Sequence, residues 1–299
     1  MSRILVTGVN SPLGQAVGRK LQAEGHRVVG TVRSSKIHSL GLPVDELIAI
    51  DLENKDSFNN IAGGFDSFIH IASMNEGNAE ELLKTTGLGI VYLIDRAKQL
   101  KIRRLVHISS MSIHGKVLTE VVDENTSVAH SVPVGAAKWA AECFIANERS
   151  SVEAVSIRSP AIAGSNANRH FLAKIFLSMV RGPGKISLSN PDHLFNNIVH
   201  ECVLADFIST LLDAESLPIY RSVPIGSTDP IPLREIIDLM AKATNYKGQI
   251  NWVEPKTPPF RIDSTGAIEL GYKPISTVET INRWMHDAFL KDKFESKIF

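Results

Sequence analysis

The stretch Ile4-Leu5-Val6-Thr7-Gly8-Val9-Asn10-Ser11-Pro12-Leu13-Gly14 decides how the rest of the chain is read. Ile4 to Val6 form a short apolar run, rich in β-branched residues and ended by a turn signal, which predicts a buried strand. Ser11 followed by Pro12 predicts a helix start, because a serine can accept a first-turn N–H and a proline there has no N–H to lose. Gly8 and Gly14 stand six apart. In a dinucleotide-binding turn the outer glycines permit the tight turn and the close packing of helix on strand, and here Ser11 holds the middle place. Two readings are compatible with these residues: a strand simply joined to a capped helix, and a helix start whose N–H groups receive a pyrophosphate.

The 299 residues, 43% of them hydrophobic, suit one large domain or two small ones around a substantial core. Lys+Arg and Asp+Glu balance at 32 each, so no global field argues for nucleic acid or a membrane surface as partner, and any basic site must be local. Cys143 and Cys202 make neither a disulfide framework nor a metal site, and each is expected to be a buried apolar residue. No run of about 18 apolar residues is present. The first strand begins too soon after Met1 for a signal peptide, which makes the cytoplasm the expected location.

Outward from the opening stretch, apolar runs alternate with amphipathic ones, the pattern of a parallel sheet covered by helices. Strands are predicted at 4–7, 28–32, 46–50, 68–72, 105–109 and 154–158, and helices at 13–24, 80–100 and 136–147. Beyond Pro160 loops lengthen and prolines gather, with helices predicted at 233–244 and 278–290. The expected class is α/β: a Rossmann-like, doubly wound parallel sheet with a smaller C-terminal α+β substrate lobe. Residues 1–160 would form the dinucleotide domain, with 198–226 returning to it, and 161–197 and 227–299 the lobe.

Four places carry chemistry. The second strand ends in Arg33-Ser34-Ser35-Lys36, where an arginine suits a ribose 2′-phosphate by bidentate, charge-assisted bonding and so favours NADP, with NAD as the alternative; as a bland reading Arg33 is a solvated loop charge. The third strand ends in Asp51-Leu52, where Asp51 either reaches an adenine amino group or caps the helix starting near Asn54. The fifth strand runs into Ser109-Ser110-Met111-Ser112-Ile113-His114-Gly115, and Pro133-Val134-Gly135-Ala136-Ala137-Lys138 opens a helix.

In these motifs the chain resembles the extended short-chain dehydrogenase/reductase family, which includes NAD(P)-dependent sugar epimerases and dehydratases. Thr7-Gly8 to Gly14 resembles its glycine motif, Ile69-His70-Ile71-Ala72-Ser73 its fourth-strand motif, Ile113-His114-Gly115 its Val-Tyr-Gly, and Ile157-Arg158-Ser159-Pro160 its Arg-x-Pro. Asn197-Ile198-Val199-His200 and Leu270-Gly271-Tyr272-Lys273-Pro274 resemble later landmarks, so the likeness spans nearly the whole length. It implies cofactor contacts from Thr7, Gly8, Asn10, Ser11, Pro12, Leu13, Gly14, Arg33, Asp51, Leu52, Ile71, Ala72, Ser73, Lys138 and Pro160. It also implies catalytic roles for Ser110, which orients a carbonyl, and Lys138, which holds the ribose. By analogy it implies a homodimer through helices 80–100 and 136–147, with Trp139, Phe144, Val91 and Leu93 as apolar material.

The departures matter as much. The family's Tyr-x-x-x-Lys would place its phenol at position 134, and Val134 can transfer no proton. Thr86 stands where an asparagine is common, and Val203 where an aspartate is. Two expectations follow: an NADP-dependent enzyme with a substitute acid drawn from His114, His130, Ser112 or water, or a non-catalytic NADP(H) sensor. A sugar-nucleotide substrate would want basic residues such as Arg169, Lys174, Arg181, Lys185 or Arg261 for its diphosphate, and among Phe171, Phe176, Phe195, Trp252 and Phe260 the expectation is packing rather than base stacking.

Overall fold

The opening apolar run forms β1 (Arg3–Thr7), and Ser11 caps α1 (Pro12–Ala23): its Oγ accepts the N–H of Gly14 at 3.0 Å and donates to the carbonyl of Gly8 at 2.8 Å. The computed structural model describes residues 1–299 apart from 34–40, 75, 129–131, 149–151, 166–169, 256–257 and 296–299, and the side chains of 290–295. After α1 come β2 (Arg27–Val32), β3 (Glu46–Ala49), β4 (Ser67–His70), α2 (Ala79–Leu82), α3 (Gly89–Gln99), β5 (Arg104–Ser110), β6 (Val121–Val122) and α4 (Pro133–Asn147). The chain continues through β7 (Glu153–Ser159), β8 (Ala161–Ala163), α5 (Phe171–Val180), β9 (Lys185–Ser189), β10 (Leu194–Phe195), β11 (Ile198–His200), α6 (Glu201–Asp213) and β12 (Tyr220–Pro224). It ends with β13 (Ile231–Pro232), α7 (Leu233–Ala243), β14 (Gln249–Val253), β15 (Arg261–Ile262), α8 (Thr265–Glu269) and α9 (Thr277–Glu295).

Seven strands form one sheet in the order β12-β7-β5-β4-β1-β2-β3, every neighbouring pair parallel. From β1 the chain winds one way to β2 and β3, then returns to the other side for β4, so the strand order reverses between β1 and β4 and opens a crevice at their carboxyl ends. Alternation along each strand sorts the two faces. Ile4, Val6, Val28, Ile69, Val106 and Val155 pack under α1 and α6, whereas Leu5, Val29, Phe68, Leu105 and Ala154 pack under α3 and α4. A third apolar cluster joins α5, α7 and α9 through Phe176, Ile237, Met240, Ile281 and Trp284. No helix among the described residues is long and apolar enough to cross a membrane.

Three local features differ from the sequence expectation. α4 begins at Pro133 rather than Ala136, because proline fits the first helical position, and Val134 and Gly135 therefore lie inside the helix. The stretch expected as one helix over 80–100 is interrupted between α2 and α3 by a π turn, Leu83–Leu88. Cys143 is half-buried and Cys202 exposed, since Val203, Leu204 and Phe207 take the buried face of α6. Of the apolar residues offered for a helix-pair surface, Leu93 is spent in this chain's own core, while Trp139 and Phe144 are exposed.

Candidate functional site

The crevice is a cavity of about 910 Å³ that crosses the carboxyl ends of five adjacent strands, β2, β1, β4, β5 and β7. Four strand spacings of about 4.8 Å make it roughly 19 Å long. At one end are Thr31, Val32 and the exposed Arg33; the middle is walled by Gly8, Asn10, Ser11, Pro12 and Leu13, by Leu52 and by Ile71, Ala72 and Ser73. Beyond these lie Ser109, Ser110 and Lys138, then Ser159, Pro160, Ile162, His170 and Glu201.

Four expected site residues do not line this space. Gly14 packs α1 onto the loop, where a Cβ would come within 2.2 Å of the Gly8 carbonyl oxygen and 2.7 Å of the Val9 Cα. Thr7 is buried beneath it and ties β1 to β4, its Oγ1 accepting the N–H groups of Ile71 and Ala72, each at 3.2 Å. Asp51, expected at the adenine or as a helix cap, is not among the lining residues: its Oδ1 accepts the N–H of Glu53, and the cap of the following 3₁₀ turn is Asn54. Val134 lies half-buried on α4, one turn before Lys138.

Below the cavity a polar row crosses the sheet. Thr31, Thr7, His70, His107, Ser156 and Ser222 are successive register partners on the face covered by α3 and α4. With both backbone bonds on the Thr7 oxygen, its own proton goes to His70 Nδ1 at 2.8 Å, which puts the His70 ring proton on Nε2. His107 Nδ1 meets Ser156 Oγ at 3.1 Å, and the two rings stack with centroids 5.8 Å apart. Burial, reinforced by the nearby Lys138 ammonium, pushes His70 down to about 3 and His107 well below its ordinary value, so both rings are neutral.

Two charged groups sit one turn apart on α4 above this row. Lys138 is buried, its Nζ donating to the Ile108 carbonyl at 2.6 Å, and burial pushes its pKa down to about 8 against the opposing pull of Glu142. Glu142 is paired with Arg158 of β7 through Nη2 at 2.9 Å and Nε at 3.2 Å, and also accepts the hydroxyl of Ser109. Ser110 Oγ accepts both the N–H and the hydroxyl of Ser112, at 3.1 and 2.9 Å, and keeps its own proton to donate.

Of the substitute acids expected from the sequence, the two that are described, His114 and Ser112, do not line the cavity. His114 is buried with Nδ1 on the Ser127 carbonyl, and the Ser112 hydroxyl donates back to Ser110 Oγ. His130, Ser34, Ser35, Lys36 and Arg169 lie outside the described residues. Lys174, Arg181, Lys185 and Arg261 are exposed and off the cavity, which leaves none of them to meet a diphosphate there. Phe176 and Phe195 are packed in the third cluster. Thr86 Oγ1 accepts the N–H of Met74, and its neighbour Thr85 is the one that fronts the cavity. Val203 is core. Sequence reasoning missed His170 and Glu201, which no local pattern marks. Among the described residues no group of three potential ligands could hold a metal.

A parallel sheet wound both ways, with a capped helix opening onto a cleft at the switch point, defines a Rossmann-like α/β protein. The chain belongs to the NAD-dependent epimerase/dehydratase family, whose model matches residues 4–194. It is similar to WbmG of Bordetella bronchiseptica, solved in complex with NAD and UDP, at 16% identity and a TM-score of 0.82, covering 98% of this chain and 96% of that one. It matches 2-alkyl-3-oxoalkanoate reductase of Shewanella oneidensis at 24% identity over 93% of this chain and 75% of the relative. It matches dTDP-glucose 4,6-dehydratase of Streptomyces niveus at 28% identity over 97 residues, 31% of this chain and 29% of the relative, so that this match spans under a third of the dehydratase's length.

Proposed function

We propose that the chain is an NADP-binding oxidoreductase or epimerase/dehydratase-like enzyme acting on a carbonyl or sugar-nucleotide-like small molecule. The observation that carries this reading is the continuity of the cavity: Arg33, the capped start of α1, Ser110, Lys138 and Glu201 share one space. The residues present fit a dinucleotide, since that space is about 910 Å³ and lies on a helix N-terminus at the switch point. Gly8 to Leu13 would face the diphosphate, Arg33 the 2′-phosphate, Leu52 the adenine, and Ile71 to Ser73, Pro160 and Lys138 the nicotinamide half. Residues 161–197 and 227–299 would bring the substrate side.

When bound, the nicotinamide supplies or takes a hydride. Ser110, with its proton free, orients a substrate oxygen, and the buried Lys138 ammonium grips hydroxyls and favours negative charge beside it. Val134, at the tyrosine position, holds no transferable proton, so a proton must come from another lining group or from water. Arg33 is the test of cofactor choice. NADPH should bind about ten-fold or more tightly than NADH by fluorescence titration, and Arg33→Ala should erase the difference. A clear wild-type preference for NADH would remove the NADP reading.

A second reading, a non-catalytic NADP(H) sensor, is favoured by Val134 itself. Loss of a general acid costs on the order of 10²–10⁴ in rate. Val134→Tyr should then raise NADPH-dependent carbonyl reduction about 100-fold over the wild type in a panel of aliphatic and sugar-nucleotide carbonyls. Wild-type turnover comparable to that of the variant would sink the sensor reading.

A further inference from the structure

β5 ends at Ser110, and the 3₁₀ turn that follows, Met111–His114, folds the chain back over it. That turn sets two donors on one oxygen: Ser110 Oγ accepts the N–H of Ser112 at 3.1 Å and the Ser112 hydroxyl at 2.9 Å. A serine oxygen has two lone pairs, so both are taken and the Ser110 O–H is left to point elsewhere. Ser110 is a half-buried lining residue of the cavity, whereas Ser112 is half-buried and outside the lining. The start of α4 holds the turn in place, since a Cβ on Gly135 would come within 2.1 Å of the Ser112 carbonyl oxygen.

A carbonyl that accepts a hydride needs a proton on its oxygen, and a positioned donor supplies it in the same step. Val134 has none to give. The Ser109 hydroxyl is spent on Glu142, and Lys138 Nζ is held on the Ile108 carbonyl at 2.6 Å. A lone serine is a poor acid. A hydroxyl that already accepts a second hydroxyl can pass its proton on while taking another, and hydrogen bonds linked in this way polarise one another.

We infer that Ser112 and Ser110 form a hydroxyl relay that delivers a proton to the substrate oxygen in place of the phenol absent at position 134. The inference rests on the reading of this cavity as the site of an enzyme that acts on a carbonyl with NADPH. While the carbonyl carbon receives the hydride and the C=O π pair moves onto oxygen, that oxygen takes the Ser110 hydroxyl proton. Ser110 Oγ takes the proton it already accepts from Ser112 Oγ, and a solvent proton restores Ser112. One carbonyl, one NADPH and one proton thus give one alcohol and one NADP⁺. Ser110 is the catalytic residue and Ser112 the positioning residue that feeds it. Because Ser112 lies outside the lining, the water that restores it need not enter beside the substrate.

The test uses the whole chain with NADPH and three carbonyls: cyclohexanone, 2-octanone and UDP-4-keto-6-deoxyglucose. The wild type should reduce at least one, and Ser112→Ala should lower kcat on it about 100-fold with KM held within about two-fold. Ser112→Thr, which keeps a hydroxyl at that place, should return kcat to within about ten-fold of the wild type. A second readout needs no turnover: with NADP⁺ in place of NADPH, saturation-transfer NMR measures the affinity for the same carbonyl. Ser110→Ala should weaken it about five-fold and Ser112→Ala less than about two-fold, because the backbone N–H at position 112 still aims Ser110. The Ser110→Ala measurement stands even where Ser112→Ala fails to fold. Reduction of none of the three, an unchanged kcat in Ser112→Ala as Lys138 or a cavity water acting as donor would give, no recovery in Ser112→Thr, or an unchanged affinity in Ser110→Ala would overturn the inference. NADPH binding, followed by fluorescence in the same samples, separates failure of the relay from failure of the cofactor reading.

Discussion

Replacing Glu142 by Gln should cost the fold about 3–5 kcal/mol, lowering the melting temperature by on the order of 10 °C. The side chains of Glu142 and Arg158 are 1% and 4% exposed, and the guanidinium spends its contacts on this carboxylate and on the Glu124 carbonyl at 3.3 Å. A buried ion pair gains little over an apolar pair of the same shape, because desolvation offsets most of the attraction. Half of one is a different matter. Neutralising Glu142 strands a guanidinium that is almost wholly buried, and also weakens the acceptor of the Ser109 hydroxyl. The double variant Glu142→Leu, Arg158→Leu should therefore recover at least half of the loss in urea unfolding. A single-variant loss below about 1 kcal/mol would mean that the pair is solvated in solution.

Lys138→Met should change the pH dependence of stability by about 3 kcal/mol. A fall from the ordinary lysine value of 10.5 to about 8 means that between these two pH values the folded chain binds fewer protons than the unfolded one. Stability contributed by this site therefore rises as pH rises from about 8 to 10.5, and the full cost of the buried ammonium is present below pH 8. The methionine variant has no such slope. At pH 7 it should gain up to about 3 kcal/mol, less about 1–3 for leaving the Ile108 carbonyl without its donor. Between pH 7.5 and 10.5 the stability of the wild type should rise by about 3 kcal/mol relative to the variant, so the wild type ends the more stable of the two. Parallel curves would show a lysine that titrates normally.

The fold was legible where local chemistry and tertiary structure agree. Ile4 to Val6, Val28 to Val32 and Leu105 to Ser109 are apolar runs bounded by turns, and a run of that kind has few alternatives to a buried parallel strand. The Ser11-Pro12 start could be read because capping needs only neighbours in sequence. What could not be read depends on partners far along the chain. His70 and His107 meet only because β4 and β5 pair in one register, and Glu142 finds Arg158 only because α4 crosses β7. Glu201 follows a Val-His landmark, yet its burial depends on Gly164, 37 residues earlier, and nothing in the local pattern announces that. The cap expected from Asp51 is supplied instead by Asn54, whose side chain is the better placed to accept the N–H of Asp56.

The π turn between α2 and α3 decides which threonine faces the cleft. One surplus residue in a helix turns everything downstream by about 100°. That offset lets Asn78 close its capping box with Glu81 at one end while Ile90, Leu93, Ile94 and Ala97 still point inward at the other. It also brings Thr85 rather than Thr86 to the cleft. Straightened into an unbroken helix, residues 79–99 would lose that offset, and Thr85 would turn away from the wall it now forms.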